Sequence, residues 1–462
     1  MRKIVVIGLG LHARHYHYKI LESLADQFNL TIELLIDLDD QQGIIREYLA
    51  TRTLKPKRQL YLSSHYRLLE ELPPEAKQCL DELLATTGFD GVLISTEPKS
   101  HKAYALWAIH NHLDVLIDKP ISAPIMQRDR EEDAQKIFND YSEIALALKN
   151  SRSHMVVLAP RRHHRGIDVL REYLGDQLNR YEVPITFIGI HHSEGQWNMP
   201  DEFHTRENHP YKYGYGLLLH SGYHQIDLFY WLLKLNFRLS TKPDHLEITA
   251  RCVTPFDFLQ QVNKNAYQLL FNTNGIYDSY FTPERLAELK GFGETDISIL
   301  CQAFCDEAVI TTSSINLLQT SFSRRAWSKL PLDTYKGNGR TRHENLNIQM
   351  GPLINIQTHS YQGAPLIEGV YRIMIFRNAA LIGGQEYEQI DIQDPRGSSP
   401  GDLLLNARID LISRWLAGQP TNSDFVDHCF TDEFLMRIHT CMFKQNAGMP
   451  PSEKMFIEGF RS

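Results

Sequence analysis

Apolar residues recur along this chain in two rhythms, and the change between them comes near residue 160. Lys3 to Ile7 is a short β-branched run ending in Gly8-Leu9-Gly10-Leu11-His12-Ala13-Arg14, and a helical stretch, His15 to Asp26, follows at once. That order predicts a strand, a tight turn and a helix. Leu30–Ile36, Gly91–Ser95, Leu113–Ile117 and His154–Leu158 are further strand-like runs. Helical patterns separate them, including a polar helix from Gln127 to Asn150. Strands alternating with helices predict an α/β region built on a parallel sheet with right-handed crossovers.

Beyond residue 160 the runs lengthen and few helices intervene. Ile185–His191, Glu247–Val253, Asp296–Ala303, Ala308–Ile315 and Glu344–Gln349 read as strands. They suit an α+β region with a large, mostly antiparallel open sheet, one face of which packs on helices such as Ser221–Lys234. The boundary falls at Ala159-Pro160, giving domains over 1–159 and 160–462. Gly275–Gly293 and Tyr335–Arg342 are turn-rich but too short for linkers. The sequence holds no internal repeat.

Composition narrows the function classes. A chain of 462 residues, 42% hydrophobic and 23% charged, is globular. Its 48 basic and 56 acidic residues leave a formal net charge of −8, which repels phosphate backbones and argues against a nucleic-acid partner. Charged residues or histidines interrupt every apolar run before the roughly 18 residues a membrane span needs, so no membrane partner is expected. Met1-Arg2-Lys3 and the apolar residues after it are too short for a signal peptide and carry no cleavage site. Six scattered cysteines read as reduced thiols of a cytoplasmic protein. The one close pair, Cys301 and Cys305, lies in an alternation that suits a half-buried strand better than a metal knuckle.

The glycine turn carries the first chemistry. In Gly-x-Gly-x-x-Gly after a strand, the first glycine permits the tight turn, the second lets a pyrophosphate approach the backbone, and the third, here Ala13, permits close helix packing. The amides and the positive end of the next helix then hold the phosphates. Asp37 ends the second strand, 24 residues after Ala13, where a carboxylate accepts both ribose hydroxyls and repels a 2′-phosphate. The constellation predicts NAD as cofactor, while Arg46, one helix away, keeps NADP open. Arg14 either reaches the pyrophosphate or sits on the exposed helix face.

Three separated motifs make the chain resemble the Gfo/Idh/MocA family of glucose-fructose oxidoreductase, inositol dehydrogenase and their relatives. The first is the glycine turn. The second runs from Asp90-Gly-Val-Leu-Ile-Ser95-Thr96-Glu97-Pro98 through His101 to Leu113-Asp-Val-Leu-Ile-Asp118-Lys119-Pro120, with Asp118 where the family usually has glutamate. The third is Gly214-Tyr-Gly216-Leu-Leu-Leu-His220-Ser-Gly222-Tyr-His224-Gln-Ile-Asp227, similar to the loop and helix beside the family's substrate pocket. The resemblance implies a doubly wound Rossmann domain followed by an open-sheet domain that often supports homo-oligomerisation. It also implies hydride exchange between nicotinamide and a hydroxyl-bearing carbon of a polyhydroxylated small molecule. Leu38–Thr87 and Asn263–Thr295 exceed what that fold needs and read as insertions.

By the same resemblance Ser95, Thr96, Pro98, His101, Asp118 and Lys119 join Gly8, Gly10, Ala13, Arg14 and Asp37 as cofactor residues. Lys119 would polarise the reacting oxygen, and His224 would accept the hydroxyl proton, since imidazole titrates near neutral pH. One turn before His224 the family normally has aspartate, and here it is His220. A second imidazole either relays the proton or binds a hydroxyl, or else the missing carboxylate marks altered or lost turnover. Asp227 would bond locally or orient an imidazole. No third donor can be named for His220 and His224, so no metal is expected. Arg161, after the last strand of the first region, contacts an acidic substrate or forms an ion pair. Trp197, with Glu194, Gln196, Asn198, His204, Arg206 and Asn208, lines a loop that either suits a polyhydroxylated ligand or is simply solvated. The leading function is an NAD-linked oxidoreductase acting on a sugar, a cyclitol or a derivative. A nucleotide-binding sensor that has lost turnover and an NAD-assisted glycosidase are the alternatives.

Overall fold

The structure, a computed structural model, describes residues 2–126, 130–206, 209–271, 275–325, 339–362, 371–392 and 401–457. The chain divides into two compact units: Met1–Pro124, Ile137–His163 and Leu404–Asp432 form the first, and Ile125–Lys136, His164–Leu403 and Glu433–Ser462 the second.

The first unit is built on six strands, β1 (Arg2–Ile7), β2 (Leu30–Leu38), β3 (Arg58–Leu62), β4 (Gly91–Ile94), β5 (Asp114–Asp118) and β6 (Met155–Leu158). Their order is β3-β2-β1-β4-β5-β6 and every pairing is parallel. The order reverses between β1 and β4, the doubly wound Rossmann arrangement, in which ligands bind beyond the carboxyl ends of the strands. Both faces of the sheet are buried, so neighbouring strand residues serve different cores. Ile4, Val6, Ile32 and Leu35 pack with helices Tyr18–Phe28 and Gln42–Ala50. Val5, Ile7, Leu34 and Ile36 pack with helices Pro74–Thr86 and His101–His110.

Five of these strands follow the five apolar runs. β3 lies in the stretch Leu38–Thr87 that reads as an insertion, and its exposed Arg58 and Gln59 explain why it carries no apolar run. The chain returns to this unit late. Leu411, Ile412 and Trp415, on helix Gly401–Leu416, are completely buried in the first of the two cores, a contribution of about 1.5–3 kcal/mol for each aliphatic side chain. Residues 421–424 then lie along β6, where the Val157 amide donates to the Ser423 carbonyl (2.9 Å) and the Ser423 hydroxyl donates to the Val157 carbonyl (2.7 Å). Arg162, 1% exposed, donates to the carbonyls of Asn422 (2.9 Å) and Asp427 (3.0 Å). The edge of the sheet is thereby covered rather than left as an open template.

The helix after the glycine turn opens as a wide π-type turn, Ala13–His17, and continues as an α-helix over Tyr18–Phe28. Asn29 ends it in the left-handed conformation, φ 46°. The polar helix is present as Glu131–Lys149, and residues 127–129 of its expected range lie outside the described residues.

The second unit carries a sheet of nine strands: β7 (Phe187–Ser193), β8 (His245–Val253), β9 (Asp296–Cys305), β10 (Ala308–Leu318), β11 (Arg342–Met350), β12 (Ile354–Gln362), β13 (Tyr371–Arg377), β14 (Tyr387–Ile392) and β15 (Ser452–Phe456). They run in the order β14-β13-β12-β11-β7-β10-β9-β8-β15, and among the described residues only β7 and β10 pair in parallel. The five expected strands are all there; β12 to β15 were not foreseen. Cys301 is buried and Cys305 half-buried on β9, as the alternation predicted, and none of the six cysteines is held in a disulfide. The opposite face is a row of amides and hydroxyls bonded across strands, such as Asn355 Nδ2 to Asn347 Oδ1 (2.7 Å) and Ser298 Oγ to Asn316 Oδ1 (2.9 Å). Of the turn-rich stretches, Gly275–Gly293 holds the helix Pro283–Glu288, and residues 335–338 of the other lie outside the described residues. Among the described residues no helix is long and apolar enough to cross a membrane.

Candidate functional site

The carboxyl ends of β1, β2, β4 and β5 bring most of the expected cofactor residues of the first unit together. Gly8 follows β1 with φ +85°, and a Cβ there would stand 2.4 Å from the Ser95 carbonyl oxygen, so only glycine fits. Its amide donates to the Ile36 carbonyl and that of Ser95 to the Ile7 carbonyl, both at 2.8 Å. Gly10 is different in kind: nothing of the protein lies within 4 Å of a Cβ built on it. Its missing side chain leaves open backbone of the sort a diphosphate needs. Ala13 opens the helix, is 1% exposed and packs into the core with Ile4, Val6 and Leu9, the close helix–sheet approach expected of the third small residue.

Asp37 binds the glycine turn directly. Its Oδ2 accepts from the Leu9 amide (2.6 Å) and its Oδ1 from the Leu38 amide (2.7 Å). Burial pushes its carboxyl up from the ordinary value, against the two amides and the Arg14 charge that favour the ionised form. Each oxygen keeps lone pairs for further donors. Arg14 turns back on the same loop, its Nη1 donating to the Leu9 carbonyl at 2.8 Å, so it does not simply lie on the exposed helix face. Arg46 stands 5.9 Å from the ring of Tyr61, the β3 neighbour of Asp37.

Beyond β4 and β5 the side chains form a second group. The Ser95 hydroxyl donates to Asp118 Oδ2, and His17 Nε2 lies 3.0 Å from Asp118 Oδ1. Burial alone would raise the Asp118 pKa, but His17, Ser95 and His12 outweigh it and hold the carboxylate far below its usual range. Lys119 follows, half-buried, joined to Pro120 by a cis peptide bond. His101 is completely buried, with Nδ1 2.9 Å from the Pro120 carbonyl and Nε2 3.2 Å from the Thr96 carbonyl. Burial lowers its pKa, and a neutral ring donates to only one of the two. It is a strut between the turns after β4 and β5. Pro98 is buried at the start of a short 3₁₀ turn, and Thr96 Oγ1 donates to the Glu97 carbonyl. Arg161 is 8% exposed at the carboxyl end of β6.

In the second unit the third motif is cinched by a residue that sequence reasoning missed. Glu294, completely buried, accepts from the Leu218 amide through Oε1 (2.6 Å) and from the Leu217 amide through its carbonyl (3.0 Å). A Cβ on Gly216 would meet its carboxyl at 2.2 Å, and one on Gly293 the Gly216 nitrogen at 2.4 Å. The only sequence signal was an acidic residue after a glycine in a stretch set aside as an insertion. His220 lies in a π-type turn, Leu218–Gly222, with its ring centroid 4.1 Å from that of His209. His224, half-buried, and Asp227, 1% exposed, lie on the α-helix that follows, Tyr223–Leu233.

The loop after β7 is not a solvated one. Glu194, Gln196 and Asn198 are buried, and Asn198 Nδ2 donates to the Tyr211 hydroxyl at 2.7 Å. Trp197 Nε1 donates to the Tyr267 hydroxyl at 3.2 Å, and its ring packs edge-on against Phe271. The stretch Asn263–Thr295 thus supplies an aromatic wall for this loop. Asn208 lies outside the described residues. His192, also buried, contacts Glu194 (3.0 Å) and Glu344 (3.1 Å), while Arg342 Nε donates to Glu194 at 2.8 Å.

Residues 2–142 match the model of the Gfo/Idh/MocA family, described as an oxidoreductase family with an NAD-binding Rossmann fold. No curated protein sequence matches the chain. Among solved structures it is similar to an oxidoreductase from Agrobacterium radiobacter in complex with NAD+, L-tartaric acid and magnesium, at 14% identity and TM-score 0.56, covering 99% of both chains. A putative myo-inositol dehydrogenase from Sinorhizobium meliloti 1021 gives 11% identity and 0.55, over 99% of this chain and 100% of the other. The WlbA dehydrogenase from Bordetella pertussis, in complex with NADH and UDP-GlcNAcA, gives 11% and 0.51 over 94% of both. Likenesses at these identities show the fold.

Proposed function

We propose that this chain, whose residues 2–142 carry the NAD-binding Rossmann fold of the Gfo/Idh/MocA oxidoreductases, is an NAD-dependent dehydrogenase of a sugar, a cyclitol or a derivative of either. The observation that carries the reading is the pairing of a Gly8 that admits no side chain with a Gly10 that faces open space, both tied to Asp37 through the Leu9 amide. The residues fit the cofactor: open backbone for a diphosphate, and a carboxylate with spare lone pairs for a ribose diol. NAD supplies the hydride acceptor. Arg14 and Asp37 hold the glycine turn in shape, and Ser95 and Asp118 fix the end of β5. His101 is a positioning residue for the Lys119 turn.

In this reading Lys119 polarises the oxygen of the reacting hydroxyl and His224 accepts its proton, each contributing about 10²–10⁴-fold. Arg161, Trp197, His220 and Asp227 orient the polyhydroxylated substrate. Two of the similar structures are described with hydroxylated acidic ligands, L-tartaric acid and UDP-GlcNAcA, which makes sugar acids a sensible part of the search. A homo-oligomer formed through the open sheet of the second unit, in the cytoplasm, completes the proposal. The test is a screen of polyols, cyclitols and sugar acids for NADH formation, followed by Lys119→Met on the substrate found. Turnover that survives the substitution removes Lys119 from the mechanism. His220 in the place of the family's aspartate favours one second reading, a nucleotide-binding sensor, and NADH binding without turnover on any substrate class would select it.

A further inference from the structure

We propose that His12, His17 and Asp118 form a binding site for a divalent transition-metal ion at the carboxyl ends of β1 and β5. The three side chains each offer one donor atom, and these atoms all lie within 4.8 Å of one another. Around an ion with bonds of about 2.1 Å, neighbouring donors stand about 3.0–3.4 Å apart and opposite ones about 4.2 Å. His17 Nε2 and Asp118 Oδ1, at 3.0 Å, already have the spacing of neighbours.

The backbone explains why the two imidazoles meet. Five residues along an α-helix turn through 500°, which would leave His12 and His17 about 140° apart. The wide i→i+5 turn over Ala13–His17 instead returns the chain to the same side. Their ring centroids are 4.9 Å apart and nearly perpendicular. Wide turns of this kind are rare and concentrate at functional sites.

The chemistry of the donors selects the ion. Two imidazole nitrogens and one carboxylate oxygen suit Zn²⁺, Co²⁺ or Ni²⁺ better than Mg²⁺ or Ca²⁺. The positive charges of Lys119 and Arg408 near His12 oppose a further cation, whereas the Asp118 carboxylate favours one. The Ser95 hydroxyl, bonded to Asp118 Oδ2, is the outer partner that orients the carboxylate, whose Oδ1 and Oδ2 lie 3.0 and 3.2 Å from His17 Nε2. Three protein donors leave at least one place on the ion for water or a ligand oxygen. The argument uses only the first unit's own geometry, although the site shares Ser95 and Asp118 with the residues proposed for the cofactor and His12 with its glycine turn.

The test is a titration of the metal-stripped full chain with Zn²⁺ against a chromophoric chelator, repeated with Co²⁺ to read its visible bands. One equivalent per chain is expected. His17→Gln and Asp118→Asn should each weaken it about 100-fold or more, and Ser95→Ala about 10-fold, the effect of losing an outer partner. Circular dichroism checks that each variant folds, and His12→Gln, at a half-exposed position in the turn, carries the same prediction should His17→Gln fail to fold. No Zn²⁺ bound, or an affinity unchanged across His12→Gln, His17→Gln and Asp118→Asn, would overturn the site. NADH titrated into the same stripped protein separates the readings: NADH without Zn²⁺ sinks the metal site alone, and Zn²⁺ without NADH sinks the cofactor reading alone.

Discussion

Gly8 and Gly10 are two residues apart, yet the structure asks different things of them, and paired alanine substitutions should separate the two. At Gly8 a methyl group would meet the Ser95 carbonyl oxygen at 2.4 Å, its carbon at 2.7 Å and the Thr96 nitrogen at 2.9 Å, on backbone with φ +85°. The left-handed conformation costs alanine about 1–2 kcal/mol. Crowding against backbone that cannot swing away adds about 1–3 kcal/mol. Gly8→Ala should therefore lose about 2–5 kcal/mol, and at about 2–4 °C per kcal/mol for the unfolding of a unit the size of the first its melting temperature should fall by roughly 4–20 °C. At Gly10 the protein offers no obstacle and φ is not positive, so alanine should leave stability unchanged or raise it by up to about 1 kcal/mol. The same methyl would stand between the backbone and a diphosphate. Losing one hydrogen bond to a charged group, about 1.5–3 kcal/mol, predicts NADH binding weaker by roughly 10- to 150-fold. Denaturation midpoints and nicotinamide fluorescence read the two effects separately. A Gly10→Ala protein that binds NADH like the parent would refute the reasoning about the open turn, and an undiminished midpoint for Gly8→Ala would refute the steric argument.

Three further outcomes follow from particular contacts. His154 Nε2 lies 3.0 Å from Asp424 Oδ1, and that bond raises the His154 pKa, while Asp424, despite its burial, is held below its usual value by His154 and Thr421. The histidine's contribution is complete below about pH 6.5 and fades as pH rises through its folded pKa; the aspartate's is present above about pH 3.9 and fades on acidification through its own. The melting-temperature gap between parent and His154→Gln should thus be widest between about pH 4 and 6.5, and an equal gap at pH 5.5 and pH 9 would contradict the pairing. Glu294→Ala leaves the buried Leu218 amide without its acceptor and should cost about 1–3 kcal/mol by urea denaturation, whereas Glu294→Gln, which keeps an acceptor oxygen, should cost less. Lys119→Met should lower turnover about 10²-fold or more with the fold intact, measured by stopped-flow absorbance of NADH.

What could be read from the sequence divides along physical lines. β1, β4, β5 and β6 are buried on both faces and each leaves an unbroken apolar run, β2 leaves one interrupted by Thr31 and Glu33, and the glycine turn is a local backbone requirement written in adjacent residues. β3 and β15 lie at sheet edges and expose Arg58, Gln59, Ser452 and Phe456, which removes that signal. β12 buries Thr358 and Ser360 beside its isoleucines, and its alternation is masked by Asn, Gln and His on the other side. The late return of Leu411, Ile412 and Trp415 to the first unit is invisible for another reason: an amphipathic helix announces that it packs, not on what. The site follows the same rule. Asp37 and Lys119 are placed by spacing after strands, whereas Glu294 and the meeting of His12, His17 and Asp118 depend on partners 76 and about 100 residues away.

Binding of NADH and NADPH to protein freed of bound nucleotide, followed by nicotinamide fluorescence, tests the central claim most directly. The account predicts saturable NADH binding with NADPH distinctly weaker, because the 2′-phosphate would meet the Asp37 carboxylate. Absence of binding to either nucleotide, or a preference for NADPH, would contradict it.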